Sequence, residues 1–143
     1  IKKREPAKSM LILAADTNMV DRYVQEFPEI AEELFDNADT PLTIILPDSR
    51  NLAEGLAADD KSIGIRIPDD PFCQEMLRRF RRPIVSTSAN FSGEPSPANF
   101  MEINPDLIDK MDHVANWRQD EIGKNIASSI IKINLDGSFK IIR

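Results

Sequence analysis

The sequence predicts a mixed α/β domain. Three observations carry that expectation: short apolar runs alternate with segments of helical period, polar stretches separate them, and a β-branched pair at 84–85 empties into a polar loop. With 143 residues, 41% of them hydrophobic, the chain can bury one core and hardly two, so a single domain over residues 1–143 is expected.

Residues 10–15, Met-Leu-Ile-Leu-Ala-Ala, form a continuous apolar run, the pattern of a strand covered on both faces. Asp16, Thr17 and Asn18 then offer helix caps, and Met19, Tyr23, Val24 and Phe27 recur at helical spacing up to Pro28. A second helix follows from Pro28, with Ile30, Leu34 and Phe35 inward and Glu29, Glu32 and Glu33 on a solvated face. Residues 42–46 and 62–67 read as strands joined by a polar, mobile connection at 47–61. Asp69-Asp70-Pro71 opens a third helix, whose buried stripe would be Phe72, Met76, Leu77 and Phe80. Its last turn carries Arg78, Arg79, Arg81 and Arg82, solvated cations that complement the helix dipole; contact with transfer RNA is the other reading. Residues 105–111 look helical and 113–117 read as a short strand. Asp136-Gly137 marks a hairpin turn between 130–133 and 139–142.

The segment 84–97, Ile-Val-Ser-Thr-Ser-Ala-Asn-Phe-Ser-Gly-Glu-Pro-Ser-Pro, is the most informative stretch. It reads as a short buried strand running into a rigid loop. Ser and Thr hydroxyls and the Asn90 amide both donate and accept, and Gly93 lets backbone N–H groups approach closely, so the loop suits an anionic, oxygen-rich ligand. The same residues also make ordinary turns. Near the start, Lys2 and Arg4 stand two apart; in an extended segment they point to the same side and can reach one anion.

Composition excludes several classes. A net charge of −6 argues against binding nucleic acid through bulk electrostatics. Cys73 is the only cysteine, which rules out an intrachain disulfide and a cysteine zinc site, and a reduced, cytoplasmic setting is the simplest reading. The run at 10–15 is too short to span a bilayer and follows no cleavable signal pattern. His113 lies outside every motif and is no candidate base; Trp117 reads as core or rim packing, and Cys73 as a small buried apolar group.

Lys2 and Arg4, then Ser88 and Asn90, match a Lys-x-Arg followed by a Ser-x-Asn. Pro41-Leu42-Thr43, the Arg-x-Pro at 66–68 and Ser-Gly-x-Pro-Ser-Pro at 92–97 fall between and after them in order. On these motifs the chain resembles the Sua5/YrdC/YciO family of threonylcarbamoyl-adenylate synthases. The resemblance covers nearly the whole chain, but the family's opening strand and helix, with its Pro-Thr-Asp-Thr-x-Tyr-Gly-Leu type segment, has no counterpart here. The chain is therefore expected to be truncated at its N-terminus relative to that family.

The resemblance implies a YrdC/RibB-like fold: a twisted mixed sheet surrounded by helices, with an open cavity. It implies condensation of L-threonine, bicarbonate and ATP into threonylcarbamoyl-AMP with release of pyrophosphate, a partner protein then transferring the group to an adenosine of transfer RNA. By carry-over, Lys2 and Arg4 are the catalytic cations, Arg66, Ser86 and Ser129 hold threonine, and Ser62, Ser88, Asn90, Ser96 and Arg143 contact ATP. Magnesium would arrive with ATP on phosphate oxygens and water, with no dedicated protein metal site and no tightly bound cofactor. Taken singly, these residues have plainer readings: Arg66 paired with an aspartate, Ser62 and Ser129 at strand edges, Lys2 and Arg4 at a basic chain end.

Several positions depart from the family pattern. Asp39-Thr40 replace a usual Pro-Gly, Glu5 a usual proline, Asp70 a common histidine, and Ser129 a common threonine. The alternative function is a non-catalytic relative that binds a nucleotide or double-stranded RNA, and a third is a fragment that completes its cavity with another chain. A monomer or homodimer is expected, without membrane association.

Overall fold

The computed structural model describes residues 10–123 and 127–143. They form two compact units, one of residues 10–86 with 127–143 and one of residues 87–123.

The first unit is built on a six-stranded mixed sheet. The strands are β1 (Leu11–Leu13), β2 (Leu42–Leu46), β3 (Ile63–Arg66), β4 (Ile84–Ser86), β5 (Ser129–Ile133) and β6 (Phe139–Ile141). Their spatial order is β4-β1-β3-β2-β5-β6. The β1/β3 and β2/β5 pairs are parallel and the other three antiparallel. Register aligns Ile12 with Val85 and Ile65, Ile65 with Ile44, and Ile44 with Ile131. Because side chains alternate along each strand, these residues share one face.

That face carries the core. Ile12, Ile44, Leu46, Ile63, Ile65 and Ile133 pack with Met19, Val20, Val24, Ala31 and Leu77 from the helical layer. Burying each large aliphatic side chain contributes about 1.5–3 kcal/mol. The opposite alternation, Leu11, Leu13, Gly64, Arg66, Ile84 and Ser86, is only half-buried. The sequence reading of residues 10–15 as a strand covered on both faces is thus corrected: Ile12 is buried, and Leu11 and Leu13 look onto the more open face.

Three helices complete the layer. α1 (Thr17–Asp21) is capped by Asp16, whose carboxylate accepts from the Met19 N–H at 2.7 Å. It ends well before Phe27, because the 47–61 connection takes over the backbone groups beyond it. The Arg50 N–H donates to the Tyr23 carbonyl at 2.8 Å, the Gln25 N–H to the Asp48 carbonyl at 3.0 Å, and Val24 bridges Ser49. The connection is correspondingly well tied: Asn51 Nδ2 donates to the Arg22 carbonyl at 2.9 Å and the Ser49 N–H to the Lys61 carbonyl at 2.9 Å.

α2 (Glu29–Asp36) buries Ala31 and leaves its glutamates in solvent, as its pattern predicts. α3 (Pro71–Phe80) has Asp70 as N-cap, accepting from the Cys73 N–H at 2.9 Å, and Pro71 in its first turn. Its expected stripe is narrower than predicted: Leu77 is buried, whereas Phe72 is 39% and Phe80 58% exposed. The end of the chain is a hairpin, as read. The Gly137 φ of 78° makes its turn, and the Asn134 N–H donates to the Ser138 carbonyl at 2.9 Å.

The second unit holds a 3-10 turn, Phe100–Glu102, and a short helix α4 (Pro105–Ile108) capped by Asn104. Leu107 is its buried centre, and the Lys110 ammonium sits 5.0 Å from the Phe91 ring centroid, within cation–π range. Residues 113–117 form no strand, and Trp117 is 44% exposed rather than core.

Candidate functional site

Arg66 ends β3 on the half-open face of the sheet, in register with Leu13 of β1. The neighbouring position on that face is Gly64, where a Cβ would stand 3.6 Å from both Leu11 Cδ1 and Thr43 Cγ2. Arg66 lines a cavity of about 380 Å³ together with Asp36, Asp39, Thr40, Asp69 and Gln74. Its Nε is buried and has no hydrogen-bond partner among the described residues. The simpler sequence reading, an arginine paired with an aspartate, is not what the structure shows at that nitrogen.

Gln74 faces the same cavity with the complementary deficit. Its Nε2 donates to the Ala15 carbonyl at 3.1 Å and the Pro68 carbonyl at 2.7 Å, which fixes the amide, while Oε1 is buried without a partner. An unmet buried donor or acceptor costs about 1–3 kcal/mol, so one cavity that offers both is chemically prepared for a ligand with a carboxylate at one end and an amine at the other. Nothing in the sequence neighbours of Gln74 marks it as a site residue; only the cap at Asp70 hints that the start of α3 points at the end of β3.

The other expected site residues are placed as follows. Ser86 ends β4 on the same face as Arg66, in register with Leu11. Ser62 precedes β3 and is buried, its hydroxyl donating to Asp60 Oδ1 at 2.5 Å. Ser129 is in register with Leu42, on the alternation of Ile44 and Ile131, the face away from Arg66. The buried serine of this stretch is instead Ser128, whose Oγ is 2.8 Å from Thr43 Oγ1. Arg143 donates from Nε and Nη2 to the Ser128 carbonyl, at 3.2 and 3.0 Å. Lys2 and Arg4 lie outside the described residues.

Ser88, Asn90 and Ser96 belong to the second unit. Asn90 Nδ2 donates to the Glu94 carbonyl at 2.6 Å, and its Oδ1 is buried without a partner among the described residues. Ser88 and Thr87 border an apolar cavity of about 440 Å³ whose walls include Phe100, Leu107 and Met111.

Asp60 organises the approach to β3. It accepts from the Ser62 N–H at 3.0 Å and from Lys132 Nζ at 2.8 Å. The Lys132 bond, then the two Ser62 bonds, hold its carboxyl far below the ordinary value of 3.8. A depressed carboxylate stabilises the fold fully above its unfolded pKa and loses that contribution as the pH falls towards its folded value. The side chain is 55% exposed, so the pair is screened and is expected to contribute under about 1 kcal/mol. Denaturant unfolding of wild type and Lys132→Met should therefore differ by a few tenths of a kcal/mol at pH 7, and the difference should shrink between about pH 4 and pH 2. A gap that widens on acidification would contradict this account.

Among the described residues no group of three or more His, Cys, Asp or Glu could hold a metal ion, and no helix is long and apolar enough to cross a membrane.

A mixed sheet with one helix-covered face, and one half-open face on which the buried Arg66 Nε has no partner among the described residues, defines an α/β domain. The chain belongs to the Sua5/YciO/YrdC family: the family's profile, described as "Telomere recombination", matches residues 1–143. A Methanocaldococcus jannaschii relative is 36% identical over 137 residues, which make up 95% of this chain and 62% of that protein. A Vibrio campbellii protein named threonylcarbamoyl-AMP synthase is 30% identical over 91% of this chain and 71% of its own length. Among solved structures, P. abyssi Sua5 complexed with L-threonine superposes with a TM-score of 0.80 at 26% identity, over 92% of this chain and 38% of that one. E. coli YciO, at 20% identity and a TM-score of 0.71, shares the fold. The chain thus spans about three fifths of the M. jannaschii relative.

Proposed function

We propose that this chain carries the threonine- and nucleotide-handling part of an L-threonylcarbamoyladenylate synthase. The observation that carries the reading is the buried, unpaired Arg66 Nε in a cavity that also offers the Gln74 carbonyl oxygen and the Asp39 and Asp69 carboxylates. It is supported by the names of the relatives and by the threonine complex of the Sua5 neighbour.

In this reading the threonine carboxylate pairs with Arg66, and the ammonium end turns towards the acceptors of the same cavity. The threonine amine attacks the carbon of bicarbonate, water leaves, and a carbamate forms. A carbamate oxygen then attacks the α-phosphorus of ATP, and the bond from that phosphorus to the β-bridging oxygen breaks, its electron pair leaving with pyrophosphate. Both steps concentrate negative charge, so the site needs fixed cations and donors rather than a covalent nucleophile. Lys2 and Arg4 are proposed for the phosphates, with Ser62, Ser88, Asn90, Ser96 and Arg143 towards the nucleotide. The unpaired Asn90 Oδ1 suits a hydroxyl or amine donor. Ser86 shares the face of Arg66 and is proposed on the threonine side; Thr43 and its partner Ser128 are proposed there in place of Ser129, whose register puts it on the opposite face. Magnesium would enter with ATP as part of the substrate and would supply charge neutralisation for the leaving pyrophosphate. A cytoplasmic carrier protein would consume the product to modify transfer RNA.

The test is incubation of the chain with L-threonine, bicarbonate and magnesium ATP, followed by mass detection of threonylcarbamoyl-AMP and by calorimetric titration of each substrate. Product, or threonine and ATP binding to one chain, supports the reading. Absence of both binding and product would overturn it.

A further inference from the structure

Across the sheet from Arg66 lies a second cavity that the proposed chemistry does not use. Its volume is about 700 Å³, and its floor includes Ile12 and Val85, which are in register with each other on the alternation opposite to Arg66. Leu52, Leu56, Phe80 and Pro83 extend this apolar floor, with Phe80 58% and Val85 45% exposed.

Three arginines are among its lining residues, and they come from three separate places: Arg22 just after α1, Arg50 in the 47–61 connection, and Arg82 just after α3. No carboxylate lines the cavity, and none of the three arginines makes an ion pair among the described residues. In a chain with a net charge of −6, carboxylates are the commoner charged groups, so three unpaired cations around one hollow stand against the overall balance. Like charges gathered without counter-charge repel each other, and an anion relieves that repulsion.

The cavity is also held in shape. Arg50 is anchored twice to the end of α1: its N–H donates to the Tyr23 carbonyl at 2.8 Å and its Nη2 to the Asp21 carbonyl at 2.9 Å. Asn51, with a positive φ of 57°, reaches the Arg22 carbonyl at 2.9 Å. The two arginine-bearing segments therefore form one clasp, which limits the ordering a ligand would have to impose.

We infer that this cavity is a second ligand site, for the phosphate of a nucleotide whose base rests on the apolar floor beside Tyr23. Guanidinium forks match phosphate oxygens in bidentate geometry, and three of them exceed what a single carboxylate can accept. An apolar floor with an aromatic ring provides for a planar base, which a bare phosphate or sulfate would leave exposed to no benefit. A free nucleotide and the end of an RNA strand present the same groups. The site lies on the helix-covered face of the sheet and stands independently of the synthase reading.

The test is a titration of the isotopically labelled chain, followed by amide resonances, with AMP, with inorganic phosphate and with a short oligouridylate. The amides of Asn51, Leu52, Ala53 and Val85 are expected to shift with AMP or the oligonucleotide, more strongly than with phosphate alone. Whichever of the two binds more tightly identifies the source of the phosphate. The double variant Arg22→Gln/Arg82→Gln, which changes two exposed side chains, is expected to weaken that binding at least about tenfold, because it removes two of the three cations around the cavity. Arg66→Gln should leave these shifts unchanged, whatever it does to threonine binding. No shift at these amides at millimolar ligand would overturn the inference. So would shifts that persist in the double variant, or that follow protein concentration alone and so report a second copy of the chain in the cavity.

Discussion

Arg66→Ala is expected to weaken L-threonine binding roughly 10- to 150-fold, the loss of one charge-assisted hydrogen-bonded contact worth about 1.5–3 kcal/mol. Arg66→Lys should restore only part of it, because an ammonium keeps the charge and loses the planar fork. The unliganded protein should respond in the opposite sense. Arg66 Nε is buried without a partner among the described residues, so Arg66→Met removes an unmet buried donor while keeping apolar volume; the thermal midpoint should hold or rise. Weaker threonine binding with undiminished stability is the signature of a residue kept for its ligand. Unchanged threonine affinity in Arg66→Ala would remove the assignment, and a fall in stability with Arg66→Met would mark the arginine as a structural group.

Ile65→Ala should cost about 2–5 kcal/mol in unfolding free energy, the largest purely structural loss foreseen here. Ile65 is fully buried at the middle of a row running Val85, Ile12, Ile65, Ile44, Ile131 across five strands. Its neighbours are held by backbone pairing on both sides, so they can close little of the space left behind. Leu13→Ala, on the half-open face of the same sheet, is the comparison, and a loss of about 1 kcal/mol or less is expected from its partial burial. Equal losses at the two positions in denaturant unfolding would mean that both faces are covered in solution, as the apolar run at 10–15 had suggested.

That run shows where the sequence was legible and where it was not. The mixed α/β class, β2, β3, the acidic helix α2, the Asp70-Pro71 start of α3 and the Asp-Gly hairpin all follow from local patterns, and all are present. What failed was set by distant partners. α1 stops early because a connection some 25 residues later claims the backbone around Tyr23 and Val24. Phe72 and Phe80 keep a helical stripe that no neighbouring element covers fully. Arg66 could be named from its motif, but the reason it matters, an unpaired buried nitrogen opposite an unpaired carbonyl of Gln74, depends on packing that spacing does not encode. Ser128 and Ser129 are adjacent in sequence, and only the strand register decides which of them is buried against Thr43. The arginine-lined cavity was illegible for the same reason: Arg22, Arg50 and Arg82 belong to three unrelated local patterns.

The pairing of β2 with β5 joins Thr43 to Ser128 across 85 residues of chain. A sheet closed by its last two strands cannot be completed while those strands are still inside the ribosome, and its order of assembly is therefore set by synthesis. Residues 10–86 supply β1 to β4 early, yet β2 waits with one edge bare until the hairpin arrives. Long-range pairing of this kind slows folding, since the closure entropy of the intervening loop must be met before any contact compensates it. The bare edge of β2 is then the place where a nascent chain is most open to pairing with a neighbour.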